Sequence, residues 1–121
     1  MVSKEFCDEM LTVGLNVPDM IEHFMDREDM FFRYLKKFFE SADNVVLELT
    51  TAAENEDYQN MLFSAHSLKG LAGNIGLNGV YLPAKKIVDD IRAGDYTDCG
   101  ADFGKLQEMY YRARKIAKNY T

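Results

Sequence analysis

His66 and Lys69 are the two side chains in this sequence whose types and spacing indicate chemistry. They lie three residues apart, and Gly70 follows the lysine directly. A neutral imidazole offers a ring nitrogen as a nucleophile. An ammonium group one helical turn away can neutralise an anionic group placed on that ring. A phosphoryl group is the natural candidate, because phosphoryl transfer depends chiefly on positioning and charge neutralisation.

The segment around these residues is predicted to be a helix, because its apolar positions recur at steps of three and four. These positions are Tyr58, Met61, Ala65, Leu68, Ala72 and Ile75. On a helical wheel with Ala65 at zero, the stripe of Ala65, Leu68, Ala72 and Ile75 spans about 0° to −80°. His66 falls at about 100°, Lys69 at about 40°, Gly70 at about 140° and Gly73 at about 80°. The histidine is therefore predicted to face away from the core.

Gly70 and Gly73 lie on the same face as the histidine, although glycine costs a helix ~1 kcal/mol relative to alanine. One interpretation is that a neighbouring helix of the same chain packs against them. The other is that a second molecule must approach the backbone closely beside His66. The second interpretation is favoured, because the two glycines lie outside the core stripe.

The rest of the chain is also predicted to be helical, with two prolines and no β-rich alternation. The first three predicted helices run from 16–19 to about 25, from 28 to 40, and from a corner at 41–43 to 54. The last three run from a cap at Asp57 to about 75, from a cap at Asn78 to Gly94, and from 101 to 119. Short polar or glycine-containing connections place sequential helices antiparallel. The prediction is a single all-α domain over 1–121, with N-terminal helices in 1–40 and four sequentially antiparallel helices in 41–121.

Composition sets further bounds on the class of protein. The chain has 121 residues, 47% of them hydrophobic, which suits one domain with its own core. We expect a cytoplasmic location, because the amino-terminal sequence is acidic where a signal peptide would be apolar. A monomer is the default expectation. Its two cysteines are predicted to be reduced thiols and not a disulfide or metal site. No cofactor or membrane association is predicted.

The net charge of −6 argues against binding to nucleic acid. Residues 1–60 carry 5 basic and 14 acidic side chains, whereas residues 61–121 carry 9 and 6. Either this is a chance partition of solvated faces, or the second half faces something anionic.

The residues around His66 resemble a known family. The segment Ala65-His66-Ser67-Leu68-Lys69-Gly70, with Gly73 after it, is similar to the signature of histidine-containing phosphotransfer (HPt) domains. The likeness extends over nearly the whole chain, through weaker matches at 14–17, 31–38 and 84–95. The resemblance implies a four-helix bundle with extra short helices at its amino end.

The resemblance also implies a role in a two-component phosphorelay. His66 would accept a phosphoryl group from a receiver aspartate or a histidine kinase and pass it to another receiver aspartate. Lys69 would balance the phosphoryl oxygens, and Gly70 and Gly73 would leave room for the receiver. An apolar docking rim would consist of Leu62, Phe63 and Leu77. Mg²⁺ and the catalytic side chains would belong to the receiver, so no metal is expected here.

Two features qualify the resemblance. The turn before the histidine, 61–64, is largely apolar, whereas many relatives have a polar or basic side chain there. Lys85 or Lys86 could then supply a second cation for the phosphoryl group. No ATP-binding motif occurs in the sequence, so the chain is predicted to be a carrier and not an autonomous enzyme. A free-standing carrier and an excised domain of a larger kinase would have the same sequence.

Other functions were weighed. The main alternative is a helical-bundle adaptor that binds a partner without using the histidine. A metal-binding bundle would need Glu-x-x-His pairs, and neither His23 nor His66 follows a glutamate by three. An acid–base enzyme would need a cleft, whereas the predicted face is flat. No role is assigned to His23.

Overall fold

The structure is a computed structural model that describes residues 2–120. These residues form six helices and contain no strand, so the all-α prediction is confirmed. The helices are α1 (Lys4–Leu11), α2 (Val17–His23), α3 (Glu28–Glu54), α4 (Tyr58–Ile75), α5 (Asn78–Arg92) and α6 (Cys99–Tyr120).

The helix that carries His66 has the predicted limits. Asp57 is its N-cap, and its carboxylate accepts a hydrogen bond from the backbone N–H of Asn60 at 3.2 Å. Gly76 ends the helix in the left-handed conformation, with φ of 77°, as glycine commonly does. Both ends of α4 are therefore determined by local sequence.

The predicted corner in the middle of α3 is wrong, since the helix is continuous from Glu28 to Glu54. Ala42 is fully buried, and Asp43 accepts hydrogen bonds from Tyr110 and Arg114 on α6. The small and acidic residues that suggested a turn are therefore a packing position and a contact to another helix. The predicted division of the chain after residue 40 falls inside this helix and is wrong for the same reason.

Other helix limits also differ from the prediction. The sequence did not predict α1, whose N-cap Ser3 accepts a hydrogen bond from the N–H of Phe6 at 3.1 Å. Leu77, without a side-chain cap, precedes α5, so Asn78 is the first helical residue and not its cap. At the end of α2 the helix stops at His23, because Met25 and the residue after it have positive φ.

Helix α4 packs against α3 and α5, and α6 packs against α5 and also touches α3. The turn between α4 and α5 is fixed by the segment that follows α1. The N–H of Gly79 donates to the carbonyl of Val13 at 2.9 Å, and a Cβ on Gly79 would lie 2.4 Å from that oxygen. Only glycine permits this approach. The start of α5 is thus held close to the segment that follows α1.

Candidate functional site

His66 lies near the middle of α4 and is exposed, as the helical wheel predicts. The preceding residue, Ala65, and Leu68 two positions later are both fully buried. Among residues 2–120, no side chain or backbone group forms a hydrogen bond or ion pair with the His66 ring. The imidazole is therefore exposed and is not held by a hydrogen bond within the described chain.

Gly70, one helical turn after the histidine, leaves open space beside it. Beyond its two chain neighbours and the adjacent backbone of α4, a Cβ built on Gly70 would have no atom of residues 2–120 within 4 Å. No neighbouring helix of the described chain accounts for this glycine. The prediction of a clear approach path beside His66 is thus consistent with the geometry at this position.

Gly73 has a different role from Gly70. A Cβ on Gly73 would lie 3.1 Å from the ring of Tyr81, which belongs to α5. The Tyr81 ring therefore borders Gly73, although Gly73 itself is exposed, so the space beside it is narrower than at Gly70. That Gly73 continues the clearance stays a prediction. The interpretation that a neighbouring helix packs against the glycine holds at this position.

The predicted apolar rim is present only in part. Phe63 is 63% exposed, and Leu62 is half-buried. Leu77 is 1% exposed, so its prediction as a docking residue is wrong. It lies after the left-handed Gly76, and the change in chain direction there turns its side chain into the core.

A groove of about 450 Å³ lies between α3 and α4, with Leu47 and Phe63 at its sides. Leu47 is 58% exposed and was missed by the sequence analysis. The signal that could have found it is its position one residue after buried Val46, off the core face of α3. The two side chains are the exposed large apolar residues of a groove whose other lining is mostly polar.

The cations near this face differ in their partners. Lys69 is half-buried and forms no ion pair with any residue in 2–120. Lys85 on α5 contacts Asp89 at 2.8 Å. The hydrogen bond from Lys85 lowers the pKa of the Asp89 carboxyl, and the charges of Lys69 and Arg92 lower it further. Asp89 is thus under the influence of cations from both α4 and α5.

Lys86, next to Lys85 in sequence, is fully engaged elsewhere. Its ammonium contacts carboxylates of Asp90, Asp98 and Asp102 at 2.9, 3.0 and 3.0 Å. These hydrogen bonds raise the pKa of Lys86. Of the two lysines that the sequence offered as a second cation, this one fastens α5 to the start of α6.

The Hpt domain family model matches residues 33–116, which include the greater part of α3, all of α4 and α5, and most of α6. The chain belongs to the Hpt domain family. Membership implies phosphotransfer in two-component signalling, in which Hpt domains act as phosphocarriers and not as kinases. Their partners in phosphorelays are receiver domains and kinases.

The Hpt match places α1 and α2 outside the family region, and His66 and Lys69 inside it. No match was found among curated proteins or among solved structures. In the described part of this Hpt domain, no group of three or more His, Cys, Asp or Glu side chains could hold a metal ion. None of its helices in residues 2–120 is long and apolar enough to cross a membrane.

Proposed function

We propose that His66 is the phosphoacceptor of this Hpt domain and that it passes the phosphoryl group between receiver aspartates, or from a histidine kinase to a receiver. The observation that carries the proposal is the exposed imidazole beside an open glycine, within the region that matches the family. His23, the second histidine of the chain, is also exposed but lies on α2, outside that region.

The transfer is a displacement at phosphorus. A lone pair on one ring nitrogen of neutral His66 attacks the phosphorus atom of the receiver's aspartyl phosphate, and the P–O bond to the aspartate breaks. The aspartate leaves as a carboxylate with the bonding electron pair, and the other ring nitrogen releases its proton to solvent. The reverse sequence of steps delivers the phosphoryl group to a second receiver.

Lys69 is proposed to stabilise the phosphoryl oxygens, because it lies one helical turn from His66 and is not committed to a carboxylate. Gly70 leaves the space through which the receiver approaches the ring. Leu62, Phe63 and Leu47 supply apolar contact area around the histidine. Catalysis itself is expected from the receiver and its Mg²⁺.

The scaffold is proposed to be an antiparallel four-helix bundle of α3, α4, α5 and α6. Connections of three residues (55–57) and two residues (76–77) join the first three helices. Connections this short favour antiparallel neighbours. In this arrangement His66 projects from the side of the bundle, where a receiver could dock. A cytoplasmic location and a monomeric state stay predictions.

The test uses a receiver domain charged with acetyl phosphate and follows phosphate onto the chain. We expect acid-labile, base-stable phosphate on the wild type and on His23→Gln, and none on His66→Gln. Both substitutions remove an exposed histidine, so the pair separates the proposed acceptor from general reactivity. Loss of phosphate in both variants, or in neither, would contradict the assignment of His66.

The same variants test the adaptor alternative. An adaptor that does not use its histidine would bind its receiver and never become phosphorylated. We expect His66→Gln to bind a receiver nearly as tightly as the wild type does, while phosphoryl transfer stops. Binding by a wild type that no charged receiver phosphorylates would favour the adaptor.

A further inference from the structure

The edge of α5 next to the histidine face carries a compact group of charges. Lys85 and Asp89 are four residues apart and form an ion pair of 2.8 Å. Both side chains are about half exposed, at 49% and 54%. The pair is therefore held at the surface, where its lysine can change partners without unfolding any element.

The register between α4 and α5 places this pair beside the site. Tyr81 on α5 lies against Gly73 on α4. The two helices leave the short connection at 76–77 in opposite directions. One turn back along α4 and one turn forward along α5 therefore bring the next pair of residues side by side. One turn from the Gly73–Tyr81 contact, Lys85 is level with Lys69.

One further turn along both helices brings Asp89 to the level of His66. The electrostatics agree with this register, because the charge of Lys69 on α4 contributes to the lowered pKa of Asp89 on α5. The hydrogen bond from Lys85 is the largest cause of that shift, and the charge of Arg92 also contributes.

Positive charges outnumber negative ones in the group formed by Asp89 and the three cations that lower its pKa. Lys69, Lys85 and Arg92 supply three positive charges, and all three lower the pKa of the single carboxyl of Asp89. A phosphoryl group on a neighbouring side chain brings a charge of roughly −1.5 to −2 and three acceptor oxygens. Such a group would compete with Asp89 for the ammonium of Lys85.

We propose that Lys85 is a second cation for the phosphoryl group on His66, and that Asp89 is a positioning residue that holds Lys85 beside the site until the phosphoryl group arrives. This inference rests on the proposed role of His66. Lys85 exchanges the carboxylate of Asp89 for phosphoryl oxygens, so the Asp89 Oδ2 that accepted its hydrogen bond is left to solvent.

The neighbouring lysine provides the matched control. Lys86 has the same chemistry and lies on the same helix, but its ion pairs with Asp98 and Asp102 hold it toward α6. About 100° of helical rotation separates it from Lys85. A general effect of removing one positive charge from α5 would be the same at both positions, whereas a direct contact with the phosphoryl group would not.

The experiment measures the equilibrium constant for phosphoryl transfer from a phosphorylated receiver domain to the full chain. We expect Lys85→Gln to lower this constant about threefold to fivefold, as for a partly exposed ion pair. Lys85→Arg should restore it to near the wild-type value. Asp89→Asn should raise it about threefold, because it frees Lys85 and removes a negative charge near the phosphoryl group. Lys86→Gln should leave it unchanged.

The opposite signs separate this role from a structural one. If the Lys85–Asp89 pair served only to stabilise α5, both Lys85→Gln and Asp89→Asn would change thermal stability and move the equilibrium constant in the same direction or not at all. That result, or equal effects of Lys85→Gln and Lys86→Gln, would overturn the inference. A wild-type chain that accepts no phosphoryl group would instead contradict the proposed function itself.

Discussion

Gly73 on α4 and Tyr81 on α5 fit together so closely that a Cβ on the glycine would lie 3.1 Å from the tyrosine ring. Gly70, one turn earlier on α4, would place its Cβ in open space. Two glycines three residues apart on one helix therefore serve different purposes. One allows a neighbouring helix of the same chain to approach, and the other leaves a surface uncovered.

This difference predicts unequal effects of alanine at the two positions. Gly70→Ala should raise the free energy of unfolding by up to ~1 kcal/mol, because alanine is the better helix former and nothing opposes the added methyl group. Gly73→Ala should raise the free energy of unfolding by less, or lower it, because the Tyr81 ring must move by a few tenths of an ångström. Urea unfolding measures both. Equal stabilisation would show that the ring moves without resistance.

A larger side chain at Gly70 should separate stability from function. Gly70→Gln should keep the fold, since nothing lies within 4 Å, yet slow transfer from a charged receiver at least about tenfold by filling the approach path. Gly104 on α6 also has open space around it, so Gly104→Gln is the matched control. The control should share the gain in helix propensity and transfer at the wild-type rate. Unchanged transfer in Gly70→Gln would contradict the clearance argument.

Periodicity and capping predicted much of this fold, because both are local signals. The spacing of apolar residues around Ala65 and the cap at Asp57 correctly predicted α4 and the outward face of its histidine. The same local rules placed a corner at Asp43, where the carboxylate in fact reaches Arg114 on α6. A sequence pattern does not distinguish an acidic residue that ends a helix from one that pairs with a distant helix.

The candidate site shows the same limit. A wheel for a single helix correctly separated His66 from the core, yet it could not reveal that the Tyr81 ring lies against Gly73. Nor could it show that Leu77 turns inward after the end of α4. Acidic residues of α6 and of its preceding loop hold Lys86. The availability of each of the two adjacent lysines near the site therefore depends on contacts with another helix. These features arise from contacts between elements.

The exposed apolar pair Leu47 and Phe63 should contribute to receiver binding. Changing Phe63 to Ser should weaken the affinity about fivefold to thirtyfold, because a large aromatic anchor is lost, and Leu47→Ser should have a smaller effect of the same sign. Calorimetric titration with a receiver that carries no phosphoryl group measures the affinity. Leu11 on α1 is similarly exposed but lies outside the family region, so Leu11→Ser should bind normally. Equal loss in all three variants would argue against a docking surface here.

The contact between α3 and α6 predicts a pH-dependent contribution to stability. Asp43 accepts hydrogen bonds from Arg114 at 2.8 and 2.7 Å and a further one from the hydroxyl of Tyr110. The hydrogen bond from Arg114 is the main reason that the pKa of Asp43 is lowered. Because the folded-state pKa lies below the unfolded one, this stabilisation is present above about pH 4 and is lost as the pH falls through the folded-state pKa.

Asp43→Asn should therefore lower the free energy of unfolding at pH 7 by about 1–2 kcal/mol. This is the value for a charged hydrogen-bonded pair, reduced because the pair is partly exposed. The difference between wild type and variant should shrink as the pH is lowered and disappear once Asp43 is protonated in the folded state. Asp8 is a matched control, because it pairs with Lys4 within α1 at the surface. Asp8→Asn should have a much smaller effect at pH 7. A wild-type advantage over Asp43→Asn that persists undiminished in acid would mean that side-chain packing, and not the charge of the carboxylate, joins the two helices.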